Sequence, residues 1–466
     1  MDSPPPIIIG NGVVVTMGST NRAADGALLV QNGLIAAMGE TAALRAAHPR
    51  ADFLDAGGQY IMPGMICAHT HTYGAFARGL ALKDPPPAAF LHILERLWWR
   101  LDRALTPQDV YDSALVCLVD AIRHGTTTLI DHHASPNACL GSLDIIATAF
   151  REAGLRGCLC YEVSDREGKD KARAGIRENE RFIKALTPPD RPSPSQGEGA
   201  SPAPPPLLSG MMGLHASFTL SDETIEEAVG VARHLGVGCH IHVAEDDADV
   251  RDSVEKHGLR TVHRLQHLGV LGPQTIAAHC IHVNSRELRL LAETGTLVVH
   301  NPRSNMNNAV GTADVPEMVR RGIMVGLGND GFGNDMFAEM TAAYLAQKMA
   351  RADPQALPAD DVVRVAVAHN AHIAGVSLGG LHSPVRLGQL AVGAPADVIL
   401  VDYKPPTPVT AANLPWHLIF GVDGGMVTTT MVAGRLLMHN RQLLTLDEER
   451  IFAQARRHAA ALWQRF

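Results

Sequence analysis

Two pairs of histidines stand out, each pair separated by a single residue. His69 and His71 close the apolar run Met62-Pro-Gly-Met-Ile-Cys-Ala-His-Thr-His71, and His240 and His242 close Gly238-Cys-His-Ile-His242. Side chains two positions apart on a strand share a face, so each pair can turn both imidazoles toward one point. Such a pair alone is equally a set of polar residues at a strand end, so a metal reading needs partners from elsewhere. Further apolar runs supply them: Gly238-Cys-His-Ile-His-Val-Ala-Glu245, Ile276-Ala-Ala-His279 and Val325-Gly-Leu-Gly-Asn-Asp330. His69, His71, His242 and Asp330 together give three imidazole nitrogens and a carboxylate, with a position left for water, as a catalytic site requires. Zinc is the default for such donors, and iron(II) or manganese accepts them too. A divalent ion held this way lowers the pKa of bound water to about 7, so hydroxide chemistry becomes accessible at neutral pH. His240 faces the same way as His242 but lies farther from the strand end, which suits it to supporting a ligand from below.

The elements that must position these groups follow from the pattern around them. Short apolar runs at 61–68, 126–131, 155–162, 210–216, 237–243, 275–280, 296–300 and 322–328 alternate with helical patterns. That texture predicts an α/β fold, a (β/α)8 TIM barrel over 61–380. The carboxyl ends of its strands meet at one mouth, which makes neighbours of residues far apart in the chain. Residues 1–60 have the texture of hairpins, with a turn signal at Asn32-Gly33, and a similar texture returns over 381–445. Both ends are therefore expected to build one small β-sandwich, followed by a C-terminal helix over 446–466. The Pro/Gly/Ser-rich stretch at about 187–206 cannot form a packed core and is read as a disordered surface insertion.

Composition narrows the partners. Forty basic against 48 acidic residues leave a formal charge of −8, which offers no global basic field for nucleic acid or an anionic membrane. No run approaches the length of a membrane span, and no secretory leader precedes the first strand. Seven scattered cysteines, an odd number, read as reduced buried thiols rather than a disulfide framework. A cytoplasmic protein acting on a small-molecule substrate and water is expected.

The motifs PGMICAHTH (63–71), HIHVAE (240–245), AAHC (277–280) and LGNDG (327–331) together resemble the amidohydrolase superfamily. The likeness is to the branch of cytosine and guanine deaminases, S-adenosylhomocysteine deaminases and triazine chlorohydrolases, and it spans nearly the whole chain. Within that branch, Leu97–Leu105, Ile130–Pro136 and Pro302–Asn308 are similar to SsnA-type aminohydrolases. The resemblance implies a single metal bound by His69, His71, His242 and Asp330, because the carbamylated lysine of two-metal relatives has no counterpart. It further implies that Glu245 shuttles the proton, that His279 orients or polarises the substrate, and that the protein is a homo-oligomer. The implied reaction is hydrolytic deamination of a small aminated heterocycle of purine, pterin or pyrimidine type. Displacement of chloride, opening of a cyclic amide, and a catalytically silent relative are the alternatives. His132 and His133, near the end of the second strand, Arg303, Ser304 and Asn305, after the seventh, and Trp98 are candidates for substrate contact. Asn329, in place of the threonine usual before the last aspartate, and Asn305-Met-Asn-Asn308 depart from the branch where substrate would sit.

Overall fold

The computed structural model describes residues 5–18, 23–186 and 205–466. The insertion expected at 187–206 therefore lies outside the described residues except for its last two. Eight parallel segments form the barrel: β1 (Met65–Thr70), β2 (Thr126–His133), β3 (Arg156–Tyr161), β4 (Leu208–Gly210 and Met212–Ala216), β5 (Cys239–Val243), β6 (Ile276–His279), β7 (Leu297–His300) and β8 (Val325–Leu327). Backbone pairing runs from β1 to the first part of β4 and from its second part to β8. Val163, just past β3, binds the second part of β4 through Gly213 and His215, at 3.1 and 2.9 Å.

The last seam, between β8 and β1, closes just beyond the strands. Asn329 N donates to His69 O at 3.0 Å, and His71 N donates to Asp330 O at 3.0 Å. These bonds put Asp330 beside the first histidine pair although the chain between them is the entire barrel. Gly328 permits the approach, because a Cβ there would sit 2.6 Å from His69 O. Nearly every barrel-strand residue is buried, as expected for parallel strands covered on both faces.

The run expected as one strand at 61–68 is two. Tyr60–Pro63 belongs to the sheet of the chain ends, and β1 begins at Met65. Gly64 marks the crossing, where a Cβ would lie 2.2 Å from the Thr127 side chain. The second run continues past 131 to His133, so both histidines that follow Asp131 are strand residues.

Among the described residues the chain ends form one nine-stranded sheet, eight strands in a single hydrogen-bonded path and Asp52–Asp55 branching from it by parallel pairing with Ile7–Gly10. Tyr60–Pro63 joins the two ends, pairing parallel with Ile7–Val15 and antiparallel with Val398–Val401. Asn32 and Gly33 turn the hairpin with φ of 52° and 78°, the left-handed pair that a tight hairpin favours. Alternation sends Ile9, Leu28 and Val30 to one hydrophobic cluster and Ile8, Ala27 and Leu29 to another. The C-terminal helix, Glu448–Arg465, is capped by Asp447 and returns to the barrel, where Trp463 Nε1 donates to Phe76 O at 2.8 Å.

One buried ion pair locks the sheet to the barrel. Arg156, fully buried at the start of β3, donates to both Asp397 oxygens, at 2.6 and 3.1 Å, and Asp397 also accepts from Ala433 N at 2.8 Å. Removing one partner strands a charge in the interior. Asp397→Ala is therefore expected to destabilise the fold by about 3–5 kcal/mol in denaturant titration, whereas a change of less than about 1 kcal/mol would show the pair to be incidental.

Candidate metal centre

His69 lies near the end of β1 and His71 just beyond it, His242 lies on β5, and Asp330 follows β8. At the barrel mouth His71 Nε2 is 3.0 Å from Asp330 Oδ1 and 3.2 Å from His242 Nε2, while His69 Nε2 is 3.7 Å from Asp330 Oδ1. The opposite ring nitrogens are committed elsewhere. His71 Nδ1 contacts the His132 carbonyl at 2.5 Å and His242 Nδ1 the His215 carbonyl at 2.9 Å. A carbonyl oxygen can only accept, so both Nδ1 atoms must carry protons, and in the neutral rings each Nε2 faces the centre with a lone pair. His69 Nδ1 meets His240 Nε2 at 2.8 Å, and its buried Nε2 has no hydrogen-bond partner.

Lone pairs turned on one another repel unless a positive charge sits among them. Burial, then the neighbouring histidines, hold His69 and His242 well below the ordinary imidazole range. Burial opposes ionisation of Asp330, but the hydrogen bond and charge of His71 carry it below the usual carboxylate range. Burial opposes protonation of His71 too, yet Asp330 raises it to about 9. A carboxylate that attracts an extra proton so strongly would equally attract a cation in that proton's place. The donors thus fit a divalent cation.

Backbone strain marks the same rim. Ala244, His279, Cys280 and Asp330 have φ of 47°, 71°, 51° and 57°, in the left-handed region. Each such residue costs roughly 1–2 kcal/mol, which surrounding contacts must offset. Cys280 N bonds to Val243 O at 2.9 Å and Asp330 N to His69 O at 3.1 Å, so barrel backbone holds two of these turns.

Glu245 lies beside this centre, with Oε2 3.5 Å from His279 Nε2 and Oε1 accepting from Asn308 at 3.3 Å. Burial pushes its carboxyl up to about 7; His279 opposes the shift and Asp330 adds to it. His279 Nδ1 is fixed by Asn305 Oδ1 at 2.8 Å, and Ser304 Oγ donates to Asp330 Oδ2 at 2.5 Å. A carboxyl poised near neutrality beside a cation site can take up and release a proton at physiological pH.

A pocket opens onto these groups, and Trp98 lines it. The other candidates for substrate contact sit behind its wall. His132 is fully buried, between Glu162 Oε2 at 3.2 Å and the carbonyls of Leu214 and His240, each at 3.1 Å. His133 contacts Ser135 Oγ at 2.8 Å, away from the centre. Arg303 pairs with Glu339 at 2.6 Å, and the helix Pro302–Asn308 turns Ser304 and Asn305 back onto Asp330 and His279. Sequence reasoning passed over Glu162 and His215, which line the pocket with Trp99 and Asp102. The runs 155–162 and 210–216 already ended at or beside the first two, so strand-end position was the available signal. His240 lies beneath His69, where its supporting role was expected.

His240 holds the outer nitrogen of His69 at 2.8 Å and so orients its ring, and His240→Leu is expected to weaken metal binding by about 10–100-fold in chelator competition. Unchanged affinity would mean that His69 orients without it.

Known proteins resemble the chain over nearly all its length. A family model described as the amidohydrolase family matches residues 60–437, and one described as the bacterial imidazolonepropionase-like composite domain matches 26–51. The chain is 32% identical over 461 residues to a 5'-deoxyadenosine deaminase of Methanosarcina mazei, covering 98% of each chain. It is 33% identical over 455 residues to a 5-methylthioadenosine/S-adenosylhomocysteine deaminase of Syntrophobacter fumaroxidans, covering 97% of each. Among solved structures, an adenosine deaminase from Xanthomonas campestris with bound zinc superposes with a TM-score of 0.81 at 26% identity, over 98% of this chain and 99% of that one.

Proposed function

The chain belongs to the amidohydrolase family, and from that premise we propose that it is a metal-dependent aminohydrolase that releases ammonia from a small aminated heterocycle of purine type. The observation that carries this reading is the position of Glu245, a carboxyl near neutrality beside a cation-binding donor set at the floor of a pocket. The deaminases of adenosine-type compounds among its relatives support the leaving group.

His69, His71, His242 and Asp330 would hold one divalent cation, and the zinc in the Xanthomonas relative favours zinc. When bound, such an ion acts as a Lewis acid that makes water nucleophilic near neutral pH. Glu245 removes a proton from the attacking water and returns it to the ring nitrogen or the departing amine, so one carboxyl serves both halves of the reaction. His279, its ring fixed by Asn305, faces Glu245 and polarises the ring under attack. Ser304 occupies Asp330 Oδ2, which sets the carboxylate's orientation and would leave Oδ1, beside His71, for the cation.

No helix among the described residues is long and apolar enough to cross a membrane, and the seven cysteines are buried and free, which supports a reducing, cytoplasmic setting. A homo-oligomer is supported by exposed apolar side chains, Trp416 stacked on Phe420 with Tyr344 of the neighbouring helix edge-on to both.

Glu245→Gln is expected to retain metal and to lose about 10²–10⁴-fold in ammonia release from aminated purines, pterins and pyrimidines. Undiminished release would remove Glu245 from the proton path. Release of chloride from a chlorinated analogue, with none of ammonia from its amine, would move the site to dehalogenation.

A further inference from the structure

Glu245 reaches the cation site from a turn that lies outside the strand. β5 ends at Val243, Ala244 follows in the left-handed region with φ of 47°, and Glu245 beyond it lines the pocket. A residue with a Cβ stays in that region only where its surroundings hold it there. The Ala244 carbonyl accepts from backbone, Ile281 N at 3.1 Å and His282 N at 2.9 Å. The Ala244 N–H has a side chain as its partner, donating to Asp249 Oδ2 at 2.8 Å. Asp249 is 3% exposed, and its other oxygen accepts from Phe218 N at 3.1 Å.

Both oxygens of Asp249 are thus committed to backbone N–H groups, on two different turns. Its place in the chain suggests a more local duty. Asp246 caps the helix Asp247–His257, accepting from Ala248 N at 2.9 Å, and a carboxylate three residues after a cap ordinarily reaches back to the N–H of the cap itself. Asp249 reaches past it, to Ala244 on the turn after β5 and to Phe218 on the turn after β4. The second of these turns is itself pinned. Arg264, 1% exposed, donates to Ser217 O at 2.6 Å, Ser217 Oγ at 2.8 Å and Leu220 O at 2.7 Å. Three residues before Phe218 stands His215, whose carbonyl orients His242. One carboxylate therefore fastens the turn that carries Glu245 to the frame that orients a metal donor. It does so with charge-assisted hydrogen bonds, which are stronger than neutral ones.

We propose that Asp249 is a positioning residue for proton transfer: it holds the strained turn at Ala244 so that the Glu245 carboxyl faces the cation site. Without it the site keeps its metal and its affinity for substrate but loses rate, because a displacement of about 1 Å at a reacting group costs about 10²-fold. The role rests on the aminohydrolase reading, since Glu245 is its object, but the brace itself can be measured without turnover.

The test uses the zinc-loaded full chain and whichever aminated purine, pterin or pyrimidine it deaminates fastest, with rates taken per bound zinc. Asp249→Asn keeps the shape but turns an amide N–H toward one of the two backbone donors, and Asp249→Ala removes both acceptors. Asp249→Asn is expected to lower kcat about tenfold or more and Asp249→Ala about 10²-fold, with zinc affinity and KM each within about threefold of the unaltered chain. A role confined to stability would lower the Tm and leave kcat per zinc-loaded chain in place. In a chain that also carries Glu245→Gln, Asp249→Asn should cost less than about a further twofold, because residues that act through one another are not additive. One backbone donor loses its acceptor in Asp249→Asn, so hydrogen exchange at the Ala244 or Phe218 amide should quicken about tenfold or more. The proposal fails if kcat per zinc in Asp249→Asn stays within about twofold, or if its loss multiplies that of Glu245→Gln. It fails equally if the loss appears in KM, which would make Asp249 a substrate contact, or if it follows a loss of zinc. Should the unaltered chain release ammonia from no amine, the aminohydrolase reading falls and exchange alone decides the brace: quickening supports it, and unchanged exchange at both amides overturns it.

Discussion

Three imidazole nitrogens and a carboxylate oxygen turned on one another form an arrangement that only a cation makes favourable. Much of the architecture around the mouth serves to hold it. The carbonyls of His132 and His215 place protons on the outer nitrogens of His71 and His242, and His240 occupies the outer nitrogen of His69. The rings cannot relieve their mutual repulsion by rotating without giving up these contacts. The seam between β8 and β1 adds the carboxylate from a position 260 residues from Thr70, through a short stretch of parallel backbone pairing.

Such an arrangement needs a rigid support. Left-handed residues at the ends of β5 and β6 and beyond β8, together with interior histidines held neutral by burial, all work against folding. A closed parallel barrel with nearly every strand residue buried can offset them, and the sheet of the two chain ends is fastened to its β3 by Arg156 and Asp397. The supporting network extends outward through Glu162, which bridges His132 and lies near His215, and through Asn305 and Ser304. These residues shape the reactive groups by fixing protons and orientation.

The sequence revealed the parts in which residue type and spacing carry the physics. Strand ends with His-x-His, a glutamate three residues past the second pair and an aspartate after the last run were legible because barrel topology alone brings such ends together. The alternation of apolar runs and helices was legible for the same reason. Directions set by local backbone were not. Nothing in the pattern indicates that the chain crosses from sheet to barrel at Gly64, or that Pro302–Asn308 turns its polar side chains inward onto Asp330 and His279. Trp98, Trp99 and Asp102 reach the pocket from a stretch that contains a π turn, which has no periodic signature.

The central claim is a single cation bound by these four side chains, and X-ray absorption at the metal edge of the zinc-loaded protein addresses it most directly. The predicted spectrum shows one metal per chain with three imidazole nitrogens at about 2.0–2.1 Å, a carboxylate oxygen at about 2.0–2.2 Å and no sulfur. A thiolate ligand, a metal–metal distance, or fewer than three imidazoles would contradict it.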